Sequence, residues 1–65
     1  MKFREFLNTC ENDGTIHVYL DDLAWDDGDP SYSTRDMRAI PRDDLARHVD
    51  AWYVDANFGI HALLS

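Results

Sequence analysis

Residues 49–64, VDAWYVDANFGIHALL, decide the fold. Two runs rich in β-branched and aromatic residues, Val49 to Val54 and Phe58 to Leu64, flank Asp55-Ala56-Asn57, which is turn chemistry. In the second run Phe58, Ile60, Ala62 and Leu64 share one parity, with Trp52 and Val54 of the first placed to oppose them. A connection this short joins antiparallel strands, so the stretch predicts a hairpin with Trp52 in the core.

Outward from the hairpin, Thr15 to Leu20 alternates as well. Ile16, Val18 and Leu20 fall on one side and Thr15, His17 and Tyr19 on the other, the pattern of a half-buried strand. Phe3, Phe6, Leu7 and Cys10 stand at i, i+3, i+4 and i+7, which predicts a helix from about Lys2 to Glu11, stopped by Asn12-Asp13-Gly14. Asp21 to Ser33 is expected to be irregular, since Asp26-Asp27-Gly28-Asp29-Pro30-Ser31 is turn chemistry throughout. Ser33 or Thr34 can cap a short helical turn through Ile40, with Asp36 near its start. Pro41 suits the first position of a further helix reaching about His48, with Asp43 and Asp44 in its first turn and Arg47 in its last. The resulting expectation is an α+β fold: a small three-stranded, largely antiparallel sheet, an N-terminal helix on one face, and one or two short helices between the first and second strands. There are no internal repeats and no linker, so residues 1–65 are expected to form a single acidic domain.

Charge is the strongest compositional signal. Thirteen acids, eleven of them Asp, face six bases, for a net charge of −7. With 45% apolar residues and eight aromatics, this is the composition of a folded chain rather than a disordered one. Glu5, Glu11, Asp13, Asp21, Asp22, Asp26, Asp27 and Asp29 lie between Glu5 and Thr34, a span with no Lys or Arg. Such a surface repels nucleic acid and anionic lipid and attracts basic surfaces. The start of the chain reads as an amphipathic helix rather than a signal peptide, and no apolar run approaches the roughly 20 residues of a membrane span. Cys10 is the only cysteine, so no disulfide forms within the chain. These readings predict a soluble protein of a reducing, cytoplasmic setting.

The segregation of the acids suggests a phosphate decoy. Duplex DNA carries one charge per about 1.7 Å of axis. Carboxylates two apart on a strand stand roughly 6.6 Å apart, and those three or four apart on a helix have Cβ atoms about 5–6 Å apart. Both approach the spacing that a phosphate-binding row of Lys and Arg must meet. Asp is shorter than Glu and loses less side-chain entropy when fixed. Salt adaptation, or a genome rich in G and C, also yields much Asp and little Lys, although salt-adapted proteins more often spread their acids over the whole surface.

In size, and in the acid run from Glu11 to Asp29 with Asp36, Asp43 and Asp44 as extensions, the chain resembles the small acidic anti-CRISPR proteins of phages and mobile elements. It most resembles those that mimic DNA against type I surveillance complexes. The resemblance implies a monomeric inhibitor that docks on the Cas subunit reading the protospacer-adjacent motif and blocks target DNA. The expected partner-binding residues are Glu11, Asp13, Asp21, Asp22, Asp26, Asp27 and Asp29, with Trp25 and Tyr32, which flank the acidic turn, as aromatic anchors. The alternative is an antitoxin-like or regulatory interaction module, binding through an apolar patch around Trp25, Tyr32 and the hairpin.

Other chemistries lack their residues. An EF-hand register with Gly28 at the sixth position puts Leu23 and Trp25 at ligand positions one and three, so no calcium site is expected. His17, His48, His61 and Cys10 show no zinc-ligand spacing, and His17 and His61 read as outward-facing strand residues. Cys10 continues the apolar stripe, Asp21 and Asp22 as strand neighbours would point to opposite faces, and the glycines are isolated. No enzyme, metal or cofactor is expected. The arginines Arg35, Arg38, Arg42 and Arg47 are interleaved with Asp36, Asp43 and Asp44, which favours ion pairs over direct nucleic-acid binding.

Overall fold

The computed structural model describes residues 1–9 and 14–65. Cys10, Glu11 and Asp13, and with them the end of the first helix, lie outside the described residues. The elements run α1 (Phe3–Thr9), β1 (Ile16–Tyr19), α2 (Asp22–Asp27), β2 (Tyr32–Thr34), a 3-10 turn (Met37–Ala39), α3 (Arg42–Leu45), β3 (Val49–Val54) and β4 (Ile60–Leu64).

The α+β class is as expected, but the sheet differs from the sequence expectation. It has four strands, in the order β2-β1-β4-β3, and its central pair, β1 and β4, is parallel. The three strands foreseen are present. The fourth, β2, pairs antiparallel with β1 in the register Ile16 to Thr34. The parallel pair is possible because everything between Tyr19 and Ile60 forms one long crossover. β4 sits between two neighbours and buries four of its five residues, which accounts for its nearly continuous apolar run.

Local differences have local causes. Thr34 does not cap a helix. It ends β2, and its hydroxyl accepts from the Asp36 N–H. Asp36 caps the 3-10 turn instead, accepting from the Arg38 N–H. α3 is one turn, shorter than the predicted Pro41–His48 helix. His48 is taken by a bridge to Lys2, and the Arg47 carbonyl accepts from the Phe3 N–H, so the N-terminal segment competes successfully for the residues that would extend α3. The hairpin turn is longer than Asp55-Ala56-Asn57. Phe58 adopts φ 62° and stands 72% exposed outside β4, contrary to its expected strand position. The Asp55 carboxylate accepts from the N–H groups of Asn57 and Gly59, which fixes this turn.

The core lies on the even-numbered face of the sheet. Phe3, Phe6 and Leu7 of α1 pack with Ile16, Val18, Ile40, Ile60, Ala62 and Leu64, as the helix stripe and strand alternation predict. Trp52 is not in the core. β3 is an edge strand, and Trp52 covers Phe6 (ring centroids 5.1 Å apart) while remaining 55% exposed. The odd-numbered face carries His17, Tyr19, Tyr53 and His61, with α2 above it through Trp25.

Candidate functional site

Asp21 to Asp29 is not irregular, as expected from its turn residues, but a capped helix with acids at both ends. Asp21 is its N-cap, accepting from the Ala24 N–H at 2.7 Å, and Gly28 closes it in the left-handed conformation at φ 69°. Only a residue without a Cβ takes that φ without strain, which is why the turn signal at Gly28 is here a helix stop. Asp21, Asp22, Asp26, Asp27 and Asp29 are all exposed. Asp22 and Asp26 are four residues apart on one helix, so their Cβ atoms are about 5–6 Å apart. Among the described residues no cation pairs with any of these five. The ion pairs join Arg38 to Asp36 at 3.1 Å and Arg47 to Asp44 at 3.4 Å.

Arg38 and Arg47 therefore neutralise their own neighbours, and no ion pair among the described residues reaches α2. Asp36 and Asp44 do not extend the acidic array. Arg38 holds the Asp36 carboxyl below the usual carboxylate range by hydrogen bonding from its side chain and N–H. Asp44 is only 8% exposed and accepts from the Tyr32 hydroxyl at 2.6 Å.

The two aromatic residues expected beside the array part company. Trp25 is half-buried and meets Tyr19 edge-on at 5.0 Å and Tyr53 at 5.6 Å, so it tethers α2 to the odd-numbered face. Tyr32 is paired with Val18 and packs against the even-numbered core. Burial, then the bond to Asp44, pushes its phenol well above the ordinary range.

A second constellation went unseen in the sequence. The sheet register aligns Ser33, His17, His61 and Tyr53 across all four strands. His61 is stacked between His17 and Tyr53, each with its ring centroid 4.3 Å away. The Ser33 hydroxyl lies 2.7 Å from His17 Nδ1, and the Tyr19 hydroxyl 2.8 Å from His61 Nδ1. His61 Nε2 lies 2.9 Å from Asp55 Oδ2. His61 thus faces a hydroxyl at Nδ1 and a carboxylate at Nε2, and a proton on Nε2 would be donated to Asp55. Burial and the neighbouring His61 ring lower the His17 pKa. The His61 bond, with the N–H groups of Gly59 and Asn57, lowers that of Asp55. Tyr19, 1% exposed, is pushed up to about 12 by burial, by a hydrogen bond with Tyr53 and by nearby carboxylates, so its phenol stays protonated at neutral pH. A cleft of about 310 Å³, lined by Arg35, His17 and Asp55 among others, opens beside this cluster. The alternation of β1 and β4 marked His17 and His61 as outward, but only the non-local parallel pairing brings them together.

No protein-family model matches the chain, and no similar curated protein or solved structure is found. No described helix is long and apolar enough to cross a membrane.

Proposed function

We propose that this protein is an inhibitor that uses the carboxylates of α2 as substitutes for DNA phosphates, docking on a basic nucleic-acid-binding surface of a partner protein. The observation that carries this reading is the set Asp21, Asp22, Asp26, Asp27 and Asp29, exposed on and around one capped helix, with no cation among the described residues paired to them. A fixed anionic array meets a row of Lys and Arg without having to order first, and its field accelerates encounter. Glu11 and Asp13 precede β1 in sequence and would add to the same field. Likeness in size and charge to DNA-mimicking anti-CRISPR proteins makes the motif-reading subunit of a type I surveillance complex the first partner to test.

The test is the triple reversal Asp26→Lys, Asp27→Lys and Asp29→Lys, with the fold checked by circular dichroism. Binding to that subunit should be lost in the variant, and wild-type binding should weaken steeply with salt. Retained binding by the folded variant would overturn the reading.

One observation favours a second reading, an interaction module. Phe58, in the turn after edge strand β3, is 72% exposed, and Trp52 and Val54 on the even-numbered face of that strand are about half exposed. Docking through these apolar side chains predicts binding that changes little with salt and is lost in Phe58→Ala.

A further inference from the structure

We propose that His17, His61 and Asp55 form a binding site for a divalent transition-metal ion, with Zn²⁺ the best match to the ligand set. The three side chains come from β1, β4 and the turn between β3 and β4, and one ligand atom of each lies within 4.8 Å of the others. Two imidazoles and one carboxylate are a ligand set that Zn²⁺ takes with an open fourth position for water.

The atoms around the set are arranged as an outer shell. Ser33 holds His17 at Nδ1, which leaves Nε2 of that ring without a partner among the described residues. Tyr19 holds His61 at Nδ1, which directs Nε2 to the site. The N–H groups of Asn57 and Gly59 both hold Asp55 at Oδ1, which leaves Oδ2 facing His61. Each prospective ligand thus has its other polar atom fixed, and metal sites use such contacts to orient first ligands. The cleft beside His17 and Asp55 supplies the entry path.

Binding requires three adjustments. Ligand atoms about 2.0–2.2 Å from a tetrahedral ion stand about 3.4 Å apart, so the set must close from as much as 4.8 Å while His61 and Asp55, 2.9 Å apart, move slightly away from each other. The His17 and His61 rings are also within 18° of parallel, so their lone pairs do not yet converge, and the less buried His17 ring must turn out of the stack. At His61 a ligating Nε2 needs the ring proton on Nδ1, donated to the Tyr19 oxygen, while the Tyr19 O–H turns to Tyr53. The ring stays neutral, and Asp55 exchanges a hydrogen bond for the metal.

Titration of the chelator-treated full chain with Zn²⁺ by calorimetry tests the site, with Co²⁺ absorption reporting geometry. We expect one ion per chain and Co²⁺ d–d bands of tetrahedral intensity. His17→Ala, at a position where the ring is only partly buried, should weaken affinity at least tenfold. Ser33→Ala should weaken it by about tenfold through loss of orientation. Cys10→Ser and His48→Ala should leave affinity unchanged. Imidazole ¹⁵N shifts on Zn²⁺ addition should move at Nε2 of both His17 and His61. Absence of one-to-one binding, unchanged affinity in folded His17→Ala, or loss of binding only in Asp22→Asn with Asp26→Asn would each overturn the proposal.

Discussion

At Gly14 an added Cβ would stand 2.5 Å from the Phe58 carbonyl oxygen. The obstacle is backbone, in a turn already fixed by Asp55, so it cannot swing aside. Gly14→Ala should therefore destabilise the protein by about 2 kcal/mol, within the range of strained single substitutions, measured by urea denaturation. Tyr32 offers a pH test. Burial, then its bond to Asp44, raises its phenol pKa above the unfolded value of about 10. A group whose folded pKa is raised stabilises fully below the unfolded value and loses that contribution as pH climbs toward the folded one. Stability should thus fall above pH 10 in wild type and fall less in Tyr32→Phe, although the latter starts lower because Asp44 loses a donor. Neither effect is legible in the sequence. Gly14 reads as a helix stop and Tyr32 as an anchor beside an acidic turn, because the atoms they meet lie tens of residues away.

Among the elements, the strongly periodic ones were legible. The stripe of Phe3, Phe6 and Leu7 and the alternation in Ile16–Tyr19, Val49–Val54 and Ile60–Leu64 reappear as α1, β1, β3 and β4. α2 was not, since six residues are too few to display a 3.6 period. Its start and stop signals, Asp21 and Gly28, are present but outweighed by the surrounding turn residues. β2 is three residues long, and its Ser33 and Thr34 favour caps as readily as strands. The parallel pairing of β1 with β4 is invisible to local pattern, and with it the meeting of His17 and His61. If α2 depends on its cap, Asp21→Ala should cost about 1 kcal/mol. The loosened helix should shift Trp25 emission as that ring leaves Tyr19 and Tyr53, with the core unfolding transition otherwise retained.

Over the whole molecule, the segregation of charge seen in sequence survives folding in one particular form. Arg38 and Arg47 pair with Asp36 and Asp44, while the acids of α2 keep an unpaired field. Self-repulsion of that field opposes folding. The melting temperature should therefore rise with added NaCl as the screening length falls from about 30 Å at 0.01 M to about 3 Å at 1 M. The triple reversal at Asp26, Asp27 and Asp29 should blunt that rise. An equal salt response in both proteins would place the repulsion elsewhere.

The central claim is that α2 takes the place of DNA on a basic surface. Its most direct measurement is competition for the motif-reading subunit of a type I surveillance complex, with labelled target DNA followed by anisotropy and the protein titrated in. Displacement of the DNA, needing more protein as the labelled DNA concentration is raised and absent with the triple reversal, is the predicted result. A stable ternary complex of subunit, DNA and protein, or failure to bind the subunit at low salt, would contradict it.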